Sequence, residues 1–154
     1  MGAHASQGDA VLAGIRRLER GLRLAARAAE RTTGLSAAQL FVLENLAEAE
    51  SSSIADLAAR THTDRSSVSV VVDRLEAAGL VKRSLSPDDR RRTETQITRR
   101  GRAVLARASL SPTTALMRAL DRLPEAKVRQ LGAALALLDE ELGYEKTAML
   151  FEDD

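Results

Sequence analysis

Between Lys82 and Arg102 the chain sets eight basic residues (Lys82, Arg83, Arg90, Arg91, Arg92, Arg99, Arg100, Arg102) against three acidic ones (Asp88, Asp89, Glu94). That local balance is +5, whereas the whole chain of 154 residues carries only +1. Charge focused on one short stretch suits the neutralisation of phosphate. Arg90, Arg91 and Arg92 follow directly on Ser86-Pro87-Asp88-Asp89, which is turn chemistry, so the guanidinium groups stand at a hairpin tip. Such a tip can reach a narrow, strongly negative minor groove. A second group lies just upstream: Arg65, Ser66, Ser67, Ser69, Val70 and Arg74. At about 100° per residue, Ser66, Val70 and Asp73 share one side of a helix, flanked by Ser67, Ser69 and Arg74. Small polar groups presented on a helix suit contact with base edges, and Val70 suits a thymine methyl.

Covalent chemistry has little to work with. The two histidines are His4, near the start, and His62, in a turn, where it reads as a surface residue or phosphate neighbour rather than a base or ligand. There is no nucleophile motif, glycine-rich phosphate loop or zinc-protease spacing. Asp88-Asp89 resembles a catalytic carboxylate pair, but flanked by three arginines in a turn it reads as fixing the turn and orienting them. With no cysteine, disulfides, thiolate zinc sites and thiol peroxide sensing are excluded. Oxidation at Met117 or Met149 is the only sulfur chemistry left open. The expectation is therefore no enzyme, no metal and no cofactor.

The elements that must position these residues are legible as helices and a hairpin. Ser53 caps a short helix, with Asp56 in capping-box register and Ile54, Leu57 and Ala58 facing inward. The turn Thr61-His62-Thr63 follows, then a helix from about Asp64 to Ala78 with the stripe Val68, Val71, Val72 and Leu75, stopped at Gly79. Two helices so spaced make a helix-turn-helix able to enter a DNA major groove. Val81–Leu85 and Thr93–Ile97 form the hairpin, a wing.

Around this unit, Asp9 to about Arg31 reads as one helix, after a frayed Met1–Gly8. Its apolar stripe is Val11, Leu12, Ile15, Leu18, Leu22, Ala25 and Ala29. Arg16, Arg17, Arg20, Arg23, Arg27 and Arg31 occupy its other faces, as a solvated surface or as partners for acidic groups of another subunit. Ser36 with Gln39 opens a helix to about Glu48, with Leu40, Leu43, Leu46 and Ala47 inward and Phe41 and Asn45 on another side. Residues 49–52 read as a loop. Thr98 caps a helix from Arg99 to about Ser109, Ser111-Pro112 is a cap or a kink, and Leu116, Leu120 and Leu123 extend the stripe. Pro124 opens the last helix, with Val128, Leu131, Leu135, Leu138 and Leu142 as its seam and Gly143 as its end. With 44% apolar but only 2% aromatic residues, the core must be Leu, Ala and Val, which pack as helices.

Several of these pieces, Gly34-Leu35-Ser36-Ala37-Ala38-Gln39, Val72-Asp73-Arg74-Leu75-Glu76 with Gly79-Leu80-Val81, and Pro87-Asp88-Asp89-Arg90-Arg91 leading to Ile97-Thr98 and Gly101, resemble the multiple-antibiotic-resistance regulator (MarR) family. The wing pattern is the most specific of them. This chain has Val70 where members often carry a polar group, and Glu94 where an aliphatic residue is more usual, as suits a wet side of the strand. The resemblance implies a homodimeric winged-helix transcription regulator released from DNA by a small ligand or by oxidation, with Asp89 orienting Arg91.

The expected fold is mainly α with a small β-wing. It is one domain over residues 1–154. Residues 36–101 form the winged helix-turn-helix, 9–33 and 102–143 are helical dimerisation parts, and 144–154 is a tail, ragged or strapped onto the partner. The expected function is a sequence-specific regulator, a repressor acting on a palindromic operator in double-stranded DNA. Its DNA-binding residues are Arg65, Ser66, Ser67, Ser69, Val70, Arg74, Lys82, Arg83, Arg90, Arg91 and Arg92. Phe41 and Asn45 are expected to wall a pocket for a small aromatic or amphipathic acid; the alternative is that Phe41 only fills core. With no apolar run of the ~18–20 residues that span a bilayer and no leader-like start, a cytoplasmic protein is expected. Two rivals remain: a helical protein-interaction module that binds no DNA, and a winged helix of another family.

Overall fold

The computed structural model describes residues 2–49, 51–86 and 91–143. Their elements run α1 (Gly2–Thr33), α2 (Ala37–Glu48), α3 (Ile54–Thr61), α4 (Arg65–Ala77), β1 (Val81–Leu85), β2 (Thr93–Ile97), α5 (Arg99–Leu105), α6 (Pro112–Asp121) and α7 (Glu125–Leu142). The fold is mostly helical with one two-stranded antiparallel sheet. The wing tip at 87–90 and the tail at 144–154 lie outside the described residues.

Local chemistry sets the helix starts. Ser36 and Gln39 close a reciprocal capping box, Gln39 Oε1 accepting from Ser36 N–H at 2.9 Å. Ser53 and Asp56 do the same for α3. Asp64 caps α4, Thr98 caps α5, and Ser111 caps α6 with Pro112 in its first turn. That settles Ser111-Pro112 as a cap, and the preceding helix stops at Leu105 rather than near Ser109. The stops are as local. Gly79 (φ +71) and Gly143 (φ +65) take the left-handed conformation, and so does His62 (φ 53) after α3. Histidine pays less there than a branched residue does, and the geometry lets Thr63 N–H reach Ala58 O at 3.0 Å. His62 is thus first a turn residue.

The core is built on α2. Leu40, Val42, Leu43 and Leu46 are fully buried, packed with Leu57 of α3 and Val68, Val72 and Leu75 of α4. Leu80, Val81 and Ile97 extend it under the wing, and Val104 brings in α5. Phe41 is buried too, so α2 is covered on more sides than the single expected stripe. Its position at the centre of the packing, against α3, α4, α5, α6 and the wing, explains this.

Three expectations need correction. The first helix begins at Gly2 rather than Asp9, because Ala3, Ala5 and Gln7 carry it and no proline breaks it. Residues 49–52 are not only a loop. Ser52 pairs with Thr95, N–H to O at 3.0 and 2.8 Å in the two directions, a one-residue third rung on the sheet. Glu94, expected on a wet side, is half-buried and accepts the Ser51 hydroxyl at 2.5 Å.

Gly101 marks the tightest crossing. A Cβ there would lie 2.3 Å from Leu80 O and 2.7 Å from Ile97 Cγ1, where Thr98 Oγ1 also binds Leu80 O. Backbone cannot swing aside as a side chain does. Gly101→Ala is therefore expected to destabilise the protein by ~1–3 kcal/mol through overpacking. A urea midpoint equal to that of the parent would contradict the crossing.

Candidate nucleic-acid interface

The helix-turn-helix is α3 and α4, and α4 buries one side only. Val68, Val71, Val72 and Leu75 go into the core while Arg65, Ser66, Asp73 and Arg74 stay exposed and Val70 is 50% exposed. A half-exposed valine in the middle of a polar helix face is suited to meet a methyl group. Ser69 is half-buried.

Ser66 and Ser67 do not simply project outward. Asp64 accepts the Ser66 hydroxyl, the Ser67 hydroxyl at 2.6 Å and Ser67 N–H at 2.8 Å. Those donors hold the Asp64 carboxyl far below the ordinary carboxylate range. The two serines therefore offer lone pairs, not free donors, until Asp64 releases them. This was invisible in the spacing, although an aspartate three residues before a serine is a capping signal.

The wing stands beside α4. In β1–β2, Val81 pairs with Ile97 and Leu85 with Thr93. Lys82 is exposed on β1, and Arg91 and Arg92 are exposed beyond the strands. Arg92 lies 3.6 Å from Asp56 of α3, an exposed pair of small energetic value that nonetheless leans the arginine toward the helix-turn-helix. The Ser53 hydroxyl and N–H, then Arg92, lower the Asp56 carboxyl, while Ser51 and Ser86 lower that of Glu94. Asp89 and Arg90 lie outside the described residues.

Arg83 is placed differently from the other wing cations. Its guanidinium lies 2.5 Å from Asp73 and 2.8 Å from Glu76, both on α4. Arg74 stands between those carboxylates on their own helix. The structure gives them to Arg83 instead, because β1 runs back along the end of α4.

The pocket residues are also displaced. Asn45 donates its amide to Phe41 O at 2.9 Å, and neither residue lines the cavity next to α2. That cavity, about 230 Å³, is walled by Glu44, Ala47, Glu48, Leu105, Leu110 and Arg118 among others. Beside it the Glu44 carboxylate accepts Ser111 N–H at 2.7 Å and the Ser111 and Thr114 hydroxyls at 2.6 and 2.5 Å. One side chain of the central helix thus caps α6, tying the winged unit to the C-terminal helices. No local pattern marks a contact across 67 residues.

Exposed arginines line α1, including Arg16, Arg20, Arg27 and Arg31, and Arg23 pairs with Glu19 at 3.0 Å. No helix among the described residues is long and apolar enough to cross a membrane. Among them, no group of three or more metal-ligating side chains stands together.

A basic hairpin beside a helix that buries one face and bares the other defines a winged helix-turn-helix. Residues 33–92 match the model of the MarR family. Solved structures extend the likeness over the chain. A MarR family transcriptional regulator from Streptomyces coelicolor, solved in complex with DNA, is 26% identical with a TM-score of 0.63, over 92% of this chain and 91% of that one. BpsR from Bordetella bronchiseptica, solved for the regulation of its DNA binding by 6-hydroxynicotinic acid, is 25% identical with a TM-score of 0.57, over 85% and 91%. A MepR-like protein complexed with pseudoligands shares the fold at 22% identity and a TM-score of 0.61, over 87% and 94%. No curated protein matches by sequence.

Proposed function

We propose that the chain is a homodimeric, sequence-specific double-stranded DNA-binding transcription regulator, a repressor released from a palindromic operator by a small ligand. One observation carries the reading: α4 bares Ser66, Val70, Asp73 and Arg74 next to a wing with exposed Lys82, Arg91 and Arg92. In this mechanism α4 enters the major groove with Arg65, Ser66, Ser67, Ser69, Val70 and Arg74. Arg91, oriented by Asp89, enters the minor groove, and Lys82, Arg83, Arg90 and Arg92 attract phosphate. The DNA complex of the Streptomyces relative supports it. Selection of bound duplexes from random sequence tests it, with recovery of an inverted repeat as the expected result and no enrichment as the contrary one.

The dimer rests on uncovered apolar surface. None of the 18 residues of α7 is buried, and Leu131, Leu135, Leu138 and Leu142 are 39–53% exposed along one side. Val11, Leu12, Ile15 and Leu18 of α1 are 40–61% exposed. A single chain showing this much contiguous leucine needs a cover, and a two-fold copy supplies the same stripe in return.

The ligand reading moves from Phe41 and Asn45 to the cavity beside Glu44. Leu105, Leu110, Ala47 and Ala108 line it with Arg118 as its one cation, alongside Glu44, Glu48, Ser109 and Thr114, and a small acid regulates DNA binding in BpsR, so a small amphipathic or aromatic acid held by Arg118 is the ligand class proposed. Binding there would act on the Glu44–Ser111 connection and so on the setting of the two winged units. Aromatic acids are expected to raise the melting temperature of the protein and not that of an Arg118→Ala variant. Equal shifts in both would place the ligand elsewhere.

A further inference from the structure

We infer that Arg83 is a positioning residue, which clamps the wing to α4 and masks two carboxylates on the DNA-facing side, rather than a phosphate contact. The inference rests on the DNA-binding reading above and changes the role of one residue in it. Three contacts converge on Arg83. Nη2 is 2.5 Å from Asp73 Oδ1, Nη1 is 2.8 Å from Glu76 Oε2, and the Arg83 N–H donates to Glu76 Oε1 at 3.2 Å. Glu76 therefore holds both the main chain and the side chain of one residue. The Arg83 side chain is 28% exposed, against 58% for Arg92.

The sheet explains why a side chain is needed there. Thr95, opposite Arg83, gives its N–H and O to Ser52 on the far side. Arg83 and Thr95 are thus a pair without hydrogen bonds between them, and the Arg83 N–H points out of the sheet toward α4. Glu76 fills the edge that a further strand would otherwise occupy.

Electrostatics gives the second half. Asp73 lies within about 60° of Ser66 and Val70 on α4, on the side proposed to face the groove. An uncompensated carboxylate there would repel phosphate, and so would Glu76 one turn on. A planar fork with two arms can hold both acids at once, which a lysine ammonium on its flexible stem does poorly.

Four variants decide the role, with affinity for the selected duplex measured across salt. Arg83→Lys keeps the charge and any phosphate contact but loses the fork. It is expected to weaken binding nearly as much as Arg83→Ala, with an unchanged slope of log K against log salt. Glu76→Ala, which alters no cation, is expected to weaken binding several-fold. Asp73→Asn in the Arg83→Ala background should recover part of the loss. The opposite result, in which Arg83→Lys binds like the parent, Arg83→Ala lowers the slope by about one, and Glu76→Ala is silent, would make Arg83 a phosphate contact and overturn the inference. A readout without DNA keeps this separate from the functional reading. The Arg83 amide should exchange with solvent faster in the Glu76→Ala dimer than in the parent. Unchanged exchange removes the clamp whether or not any duplex binds.

Discussion

Replacing Leu135 and Leu138 with glutamate is expected to give monomers or insoluble protein and to abolish operator binding. The two side chains are 52% and 39% exposed in the single chain and lie on one side of α7 with Leu131 and Leu142. If a second copy covers that side, each subunit contributes two carboxylates to an apolar seam. Buried, unpaired charge costs several kcal/mol per ion, more than the margin that holds most dimers together. The change should leave the winged unit itself alone, since its core of Leu40, Leu43, Leu57, Val72 and Leu75 makes no use of α7. Losing the dimer then loses the second half-site, which is why a change far from the wing should remove DNA binding. Light scattering that showed a well-folded dimer would place the interface elsewhere.

Arg91→Ala is expected to weaken operator binding by ~1–3 kcal/mol, about 5- to 150-fold, without changing the circular dichroism spectrum. Arg91 is exposed immediately before β2, on the limb of the wing that a minor groove would receive. Loss of a guanidinium from a narrow groove removes both charge and fit. Asp89→Ala should cost less, by letting Arg91 wander rather than by deleting a contact. A gel-shift titration with unaltered affinity for Arg91→Ala would end the minor-groove role.

Much of this was legible before any coordinates. Capping residues announced the helix starts at Ser36, Ser53 and Thr98, because the signal spans only three residues, while Ser111-Pro112 read equally as a cap or a kink. The α4 stripe and the hairpin followed from periods of 3.6 and 2, and the resemblance over Gly34 to Gly101 pointed to the family that residues 33–92 match. What escaped was non-local or involved a choice among partners. Arg83 and Arg74 are equally good partners for Asp73 and Glu76 by composition; only the path of β1 selects Arg83. Glu44 meets Ser111 across 67 residues, Ser52 meets Thr95 across the sheet, and Phe41 is buried because α2 is central, none of which leaves a periodic mark. The serines of α4 were read as projecting outward, and their return to Asp64 depends on rotamers that spacing does not fix.

The central claim is that this protein reads duplex DNA by sequence through α4 and the wing. The most direct test is equilibrium binding of the parent protein to its selected inverted repeat and to a scrambled duplex, each titrated over a range of salt. Phosphate neutralisation makes log K fall linearly with log salt on both duplexes, and groove contacts set them apart by ~10³-fold or more. A steep slope with that separation is the predicted result; binding that ignores salt, or that treats the two duplexes alike, would contradict it.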